Sequence, residues 1–283
     1  MWTNRISVTE PIVSERVDQL VSVIIPTLNE EESLPTTLSA LDSQTYDKLE
    51  VLVVDSGSND RTQTIAREHD AKVVLYPGRP MGARWKGFEE SGGAFILFLD
   101  GDQVLYPDSI ERAVRAMSGQ DMLVLEETSY RPRGYLQRSL CRQKKSTHAA
   151  ADLKRGVGPN LYPRFYRREV LQKAYQGLDE ATMARVYAHD DGLLFRRAYD
   201  VSKRSVILPK GVMHIEERNW YQLMRHSLKT GMSARSVDMS RLQGDLGREE
   251  DRWIRMQRAI KGRYFLMSVV KELFFRFGHR KIR

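Results

Sequence analysis

Residues 21–30 read VSVIIPTLNE, a β-branched run that Pro26 interrupts and that is typical of a buried strand. Two further apolar runs read EVLVVD (50–55) and AFILFLDGD (94–102). Amphipathic stretches separate these runs, so that strands and helices alternate over residues 21–118. This alternation predicts an α/β fold with a mostly parallel sheet flanked by helices.

The segments that follow these strands, residues 26–30, 55–57 and 100–102, are polar or acidic. In open parallel sheets, ligands bind beyond the carboxyl ends of the strands. Asp100 and Asp102 are one residue apart, and carboxylate oxygens are the ligands that Mg²⁺ and Mn²⁺ prefer. The pattern therefore favours a divalent cation site, although an acidic surface turn would give the same letters.

Two common phosphate-binding motifs are missing from the sequence. No G-x-G-x-x-G follows the first strand, and no G-x-x-x-x-G-K-[ST] occurs, which argues against a dinucleotide cofactor and a P-loop NTPase. Any phosphates must then be held by a metal and by basic side chains. Asp55, which ends the second strand, is a candidate acceptor for a nucleobase N–H or a ribose hydroxyl.

Composition describes a folded chain of 283 residues with 41% apolar and 29% charged residues. The single cysteine, Cys141, excludes an intrachain disulfide and a cysteine-based zinc site. The net charge of +8 hides a split, because residues 1–125 carry 11 Lys and Arg against 20 Asp and Glu, and residues 126–283 carry 34 against 17. The basic half indicates an anionic partner.

Residues 1–20 are polar and predict no signal peptide, and no apolar run approaches the roughly 18 residues that span a bilayer. We therefore expect a cytoplasmic protein that contacts the cytoplasmic membrane face peripherally at most. Residues 251–277 predict a basic amphipathic helix, for which a membrane-surface role and a homo-oligomer interface both stay open.

Four segments resemble the signatures of family 2 glycosyltransferases of the GT-A fold, in the family's order: VSVIIPTLNEE (21–31), VVDSGSNDRT (53–62), GARWKG (82–87) and FLDGD (98–102). The resemblance implies a Rossmann-like GT-A sheet, a nucleoside-diphosphate sugar as donor, and inversion at the anomeric carbon by single displacement. It also implies a Mg²⁺ or Mn²⁺ ion, with Asp102 and His214 as the protein's metal ligands.

The family's acceptor motif usually reads Glu-Asp-x-Asp-Leu-x-x-Arg, and residues 189–196 read HDDGLLFR. The match places the general base at Asp190, with Asp191 as the fallback if the register slips by one. His189 and Gly192 depart from the motif. These departures keep a non-catalytic nucleotide-sugar- or glycan-binding protein as an alternative, and the basic half leaves a nucleic-acid-binding protein as a weaker one.

The resemblance also implies a set of nucleotide-sugar-binding residues at the strand ends. They are Pro26, Thr27, Asn29, Glu30, Asp55, Gly57, Arg84, Asp100 and Gly101.

The chain is divided here into an N-terminal extension (1–20), a nucleotide-sugar-binding half (21–125), an acceptor-binding half (126–235) with a mobile basic loop (131–160), and a basic helical segment (236–283). The expected function is metal-dependent transfer of a sugar from a UDP- or GDP-linked donor to a hydroxyl or phosphate of a glycan or polyprenyl-linked acceptor. Expected partners include an anionic membrane or a second copy of the chain, and no nucleic acid.

Overall fold

The computed structural model describes residues 18–149, 164–183 and 190–235, together with residues 273, 274 and 276. Its strands are β1 (Val21–Thr27), β2 (Leu49–Asp55), β3 (Lys72–Leu75), β4 (Phe95–Phe98), β5 (Gln103–Leu105), β6 (Met122–Ser129), β7 (Phe165–Arg167) and β8 (Ser205–His214). Its helices are α1 (Leu34–Asp42), α2 (Thr62–Glu68), α3 (Pro80–Glu89), α4 (Ser109–Ala116), α5 (Gly134–Ala149), α6 (Arg168–Tyr175), α7 (Glu180–Met183), α8 (Asp190–Val201) and α9 (Trp220–Arg235).

The strands form one sheet in the order β3-β2-β1-β4-β7-β6-β8-β5. Strands β3, β2, β1 and β4 are parallel neighbours, and β6 and β8 also pair in parallel. The short strands β7 and β5 run antiparallel to their neighbours. The predicted α/β fold with a mostly parallel sheet is confirmed.

Successive residues of the central strands point to opposite faces, which gives two apolar layers. Val23 and Ile25 pack with Leu38 of α1 and with α2 and α4 on one face. Ile24 packs on the other face with Met81 of α3 and with α6 and α8. Because both faces are covered, the strands are apolar throughout, and polar groups concentrate at the strand ends.

A bulge in β8 sets the geometry of the second half of the sheet. The β6–β8 register shifts between Leu125 and Glu127, where β6 advances by two residues and β8 by four. Beyond the bulge, Ser129 lies opposite His214, and on its other side His214 lies opposite Gln103 of β5. The bulge therefore sets the register that places His214 between β6 and β5.

One expectation for the second half needs correction. Residues 131–160 were expected to form a mobile basic loop with a short helix, but residues 134–149 form one 16-residue helix, α5. The loop was expected because the basic residues obscure the apolar pair Leu136 and Leu140, which packs against Leu223 of α9. Two predicted segments lie largely outside the described residues: residues 1–17 of the N-terminal extension (1–20), and nearly all of the C-terminal segment 236–283.

Candidate active site

Asp55, at the end of β2, is the centre of the turn that follows it. The residue is fully buried, and its carboxylate accepts hydrogen bonds from the hydroxyl of Thr27 and from the amide nitrogen of Gln63. It also accepts hydrogen bonds from the backbone of Gly57, at a φ of +93°, and from both the backbone and the hydroxyl of Ser58. Protein donors therefore occupy both oxygens, and Asp55 shapes the turn in this structure.

Asn29 and Glu30 connect the β1–α1 turn to the β2–α2 turn. Asn29 has a φ of +58°, and its backbone N–H donates to Ser58 Oγ at 2.8 Å. Its own side-chain oxygen accepts from the backbone of Asn59 at 2.9 Å. The backbone N–H of Glu30 donates to Thr62 Oγ1 at 2.8 Å. These bonds fix the two turns against each other, next to Pro26 and Thr27 on β1.

Asp100 follows β4 and holds two arginines. Arg84 of α3 donates from Nη2 to Asp100 Oδ1 at 2.8 Å, and Arg164 Nη1 lies 3.0 Å from Asp100 Oδ2. Arg84 is 5% exposed, so this pair lies inside the protein. Gly101, the next residue, is buried and accepts the hydroxyl of Thr37 through its carbonyl oxygen at 2.9 Å. Two guanidinium groups thus converge on the carboxylate of Asp100.

Asp102 and His214 meet where β5 joins β8. Asp102 Oδ2 lies 3.2 Å from His214 Nε2, and the Asp102 carbonyl accepts the backbone N–H of Ile215 at 2.8 Å. The two side chains are 35% and 21% exposed, so a ligand can reach them. The structure therefore brings together the two residues that the resemblance assigns to the metal.

A second group of charges, Glu127, Lys144 and Glu216, lies behind His214. Lys144 Nζ lies 2.7 Å from Glu127 Oε1 and 3.0 Å from Glu216 Oε1. Glu216 Oε2 lies 3.5 Å from His214 Nδ1. Gln103 connects this group to the acidic turn, because its side-chain oxygen accepts the backbone N–H of Asp100 and its side-chain nitrogen donates to Glu127.

These contacts determine the charge states of the site. Burial raises the pKa of Asp102, but the neighbouring His214 outweighs this and lowers it to about 2. For His214 itself, burial lowers the pKa, and the facing Asp102 raises it well above 6.5. Burial likewise raises the pKa of Glu216, while the His214 contact and Lys144 bring it down to about 2. In the absence of a metal, both carboxylates are ionised at neutral pH and His214 carries the balancing proton.

Asp190 and Asp191 open helix α8. The helix packs on the core layer that also contains α3, the helix of Arg84, through Leu193 and Leu194. The structure describes the backbone of the two aspartates within α8, and His189 lies outside the described residues. The base at Asp190 or Asp191 stays a prediction.

Several residues of the site carried no individual prediction. Arg164 has a weak signal, because PRFYRREVL (163–171) resembles a family segment, and Glu216 is close to His214 in sequence. Glu127 and Lys144 have no local signal. Their contact depends on the β6–β8 register, which the bulge in β8 sets, and on the packing of α5, neither of which a short motif encodes.

The family model described as "Glycosyl transferase family 2" matches residues 22–200, which is more than half of the chain. The chain belongs to glycosyl transferase family 2. The predicted resemblance is thereby confirmed. The matched range contains the first signature segment from residue 22 onward, the other three segments in full, and the HDDGLLFR segment.

Two relatives and one solved structure from this family comparison are informative. Glycosyltransferase AglE of Haloferax volcanii is 45% identical over 108 residues, covering 35% of this chain and 36% of that protein. The UDP-Glc:alpha-D-GlcNAc-diphosphoundecaprenol beta-1,3-glucosyltransferase WfgD of Escherichia coli is 33% identical over 105 residues, covering 35% and 42%. This chain thus spans less than half the length of either relative.

The solved structure is the mannosyltransferase PcManGT of Pyrobaculum calidifontis in complex with GDP-Man and Mn²⁺. It is 20% identical, has a TM-score of 0.53, and the match covers 81% of this chain and 66% of that one. At this identity the likeness establishes the fold alone. Among the described residues, no helix has the length and apolar character needed to cross a membrane.

Proposed function

We propose that this family 2 member is a metal-dependent, inverting glycosyltransferase that uses a nucleoside-diphosphate sugar. The observation that carries the proposal is the 3.2 Å contact between Asp102 Oδ2 and His214 Nε2 at the strand ends, beside the two arginines held by Asp100. An oxygen and an imidazole nitrogen form a donor set that Mn²⁺ accepts, and Mg²⁺ accepts the oxygen readily.

The geometry fits such an ion. Adjacent ligands of an octahedral ion with bonds of roughly 2.1 Å are about 3 Å apart, close to the separation of Asp102 Oδ2 and His214 Nε2. No group of three or more His, Cys, Asp or Glu side chains suited to a metal occurs in the described ranges. Asp102 and His214 would hold such an ion, and a donor diphosphate would supply further oxygen ligands.

The proposed reaction is a single displacement. The acceptor oxygen attacks the anomeric carbon, the bond from that carbon to the diphosphate oxygen breaks, and the nucleoside diphosphate leaves with the electron pair. Asp190 takes the proton of an acceptor hydroxyl as general base. Arg84 and Arg164, held in place by Asp100, face the developing negative charge on the diphosphate. A bound Mg²⁺ or Mn²⁺ supplies Lewis-acid stabilisation of the same charge.

The proposed acceptor is a glycan or a polyprenyl-linked sugar or phosphate at the cytoplasmic membrane face. Two observations support this class. The relative WfgD is named for a diphosphoundecaprenol-linked acceptor, and residues 126–283 carry 34 basic against 17 acidic residues. UDP and GDP both remain candidate donor nucleotides.

A ligand screen followed by a transfer assay tests the proposal. We expect one class of nucleotide sugar with Mn²⁺ to raise the melting temperature, since a ligand of the folded state stabilises by mass action. Asp190→Asn should abolish transfer to a hydroxyl acceptor while keeping donor binding. A fully active Asp190→Asn enzyme would exclude that base, and donor binding without any transfer by the unmodified chain would favour the non-catalytic alternative.

A further inference from the structure

Glu127, Lys144 and Glu216 form a charged cluster directly behind His214. Glu216 is 3% exposed and Glu127 is largely buried, so neither carboxylate has free access to water. Lys144 lies between them, within 3.0 Å of an oxygen of each. The reaction proposed above assigns no role to these residues.

The two ring nitrogens of His214 face different carboxylates. Nε2 faces Asp102 at 3.2 Å, and Nδ1 faces Glu216 Oε2 at 3.5 Å. Nδ1 is buried and makes no hydrogen bond of standard geometry with the described residues, so an approach of a few tenths of an ångström by Glu216 would satisfy it. Metal-binding histidines generally donate their second ring nitrogen to a carboxylate or carbonyl group, which fixes the ring.

Glu216 is itself held from two sides. The hydroxyl of Ser129 donates to Glu216 Oε1, and Lys144 lies 3.0 Å from the same oxygen. Ser129 lies opposite His214 in the β6–β8 ladder. The strand register therefore fixes, beside His214, the residue whose hydroxyl donates to Glu216. Lys144 extends from α5, a helix of the acceptor half.

We propose that Glu216 is the positioning residue that orients His214 toward the metal, and that Lys144 holds Glu216 in place from helix α5. The inference rests on the proposed metal-dependent function. It deepens that function by connecting the metal ligand on β8 to helix α5 through one carboxylate and one ammonium group.

Manganese binding tests Glu216 directly. We would titrate Mn²⁺ by electron paramagnetic resonance in the presence of whichever nucleoside diphosphate, UDP or GDP, stabilises the unmodified chain. Glu216→Gln should weaken Mn²⁺ binding by roughly tenfold or more, the usual effect of losing such an outer partner. The matched control is Glu217→Gln, because Glu217 contacts His226 and not His214, and its Mn²⁺ affinity should stay within about twofold of the unmodified chain.

Lys144→Met separates positioning from simple electrostatics. Removing a nearby positive charge would by itself tighten Mn²⁺ binding, whereas releasing Glu216 weakens it, and we expect weaker binding. Lys144→Arg should restore most of the affinity. In the Glu216→Gln background, Lys144→Met should add little, because residues that act through one another are not additive.

The outcomes are distinct from those of the proposed function. If the unmodified chain binds no Mn²⁺ with either diphosphate, the metal-dependent function fails. If it binds Mn²⁺ and Glu216→Gln binds equally well, or if Lys144→Met tightens binding, the positioning role is wrong. Should Lys144→Met fail to fold, the Glu216→Gln and Lys144→Arg affinities decide. A purely structural role would lower the melting temperature and leave the Mn²⁺ affinity of the folded fraction unchanged.

Discussion

Asp100 and Asp102 are one residue apart but face different partners. Asp100 binds the guanidinium groups of Arg84 and Arg164, and Asp102 faces His214. Burial raises the pKa of Asp100, but Arg164 and Arg84 hold it below its usual value of 3.8. Both carboxylates are therefore ionised, and they have different neighbours, two guanidinium groups for Asp100 and an imidazole for Asp102. In the proposed function, the arginines at Asp100 would bind the diphosphate and Asp102 would offer an oxygen to the metal.

This division predicts different phenotypes for the two aspartates. Asp102→Asn replaces the charged carboxylate with a neutral amide, whose oxygen binds a divalent cation more weakly, and should weaken Mn²⁺ binding at least tenfold more than Asp100→Asn does. Asp100→Asn releases both arginines and should mainly weaken binding of the nucleoside diphosphate. Calorimetric titration of each variant with Mn²⁺ and with the diphosphate measures both effects. Equal losses of Mn²⁺ affinity would show that the two aspartates act on the metal in the same way.

Asp121 has no role in the proposed reaction. Its hydrogen bonds predict that the stability of the fold depends on pH. Arg204 donates two hydrogen bonds of 2.9 Å to its carboxylate, and Ser202 donates a third of 2.6 Å. Burial raises the pKa of Asp121, but Ser202 and Arg204 outweigh it and keep the pKa below 3.8. Because the folded pKa lies below the unfolded one, the stabilisation is complete at neutral pH and is lost as the pH falls through the folded value.

Asp121→Asn should therefore lower the free energy of unfolding at pH 7 by about 1–3 kcal/mol, the typical value of hydrogen bonds to a charged group. The difference from the unmodified chain should shrink between pH 5 and pH 2. Urea unfolding across this range measures it, with Asp200→Asn as control, since Asp200 is 60% exposed and should change stability by less than about 0.5 kcal/mol. A difference that is constant with pH would contradict the assigned pKa shift.

At the residue scale, the sequence predicted those contacts whose residues the family resemblance names. Asp102 and His214 were paired through the family resemblance, and the structure places them in contact. Asp55 was expected to bind a nucleobase N–H or a ribose hydroxyl, and that role stays a prediction. In the structure, protein donors occupy its oxygens. The partners that do so, Thr27 and Gln63, come from separate elements, so strand-end position alone could not reveal them.

The β6–β8 pair is the element on which the site depends. Gly211 lies in the β8 bulge and packs against β6 so closely that a Cβ there would lie 2.6 Å from Leu125 Cβ and 2.8 Å from its Cα. Real Cβ atoms essentially never approach that closely, so only glycine permits this register. The same register places Ser129 opposite His214.

Gly211→Ala should therefore destabilise the fold and loosen the metal site together. We expect a loss of about 1–3 kcal/mol in the free energy of unfolding, as overpacking typically costs, and a weaker Mn²⁺ affinity. Urea unfolding and Mn²⁺ titration measure the two. Gly92→Ala is the control, because its added Cβ would meet its nearest atom at 3.8 Å. Normal stability and Mn²⁺ binding in Gly211→Ala would mean that the register tolerates a side chain.

The sequence predicted the strands of the parallel half of the sheet but not the short strands and the basic helix beyond it. The difference has a physical reason. Strands β1, β2 and β4 are buried on both faces, so continuous apolar runs identify them. The strands β5 and β7 have three residues each and form only because longer neighbours pair with them. Helix α5 is mostly polar and basic, and its short apolar stripe has meaning only against α9.

The whole molecule combines an acidic half with a basic half, at 11 basic against 20 acidic residues before position 126 and 34 against 17 after it. His214 and Arg164 of the candidate site come from the basic half, whereas the acidic half contributes the ends of β1, β2 and β4 with Asp100 and Asp102. The excess of positive charge in the other half suits an acceptor that is attached to an anionic surface. Residues 251–283 alone contain ten basic and two acidic residues.

We predict that this asymmetry makes membrane binding depend on lipid charge. The full chain should float with vesicles that contain anionic lipid and not with purely zwitterionic ones, since each Lys or Arg near an anionic surface contributes about 1 kcal/mol. Raising the ionic strength to roughly 0.5 M should release it, because the Debye length then falls well below 10 Å.

A chain that ends at residue 250 should bind much more weakly to the same anionic vesicles than the full chain does. Equal flotation of both chains would exclude residues 251–283 as the anchor, and a smaller assembly mass for the shorter chain in sedimentation would assign that segment to a homo-oligomer interface instead.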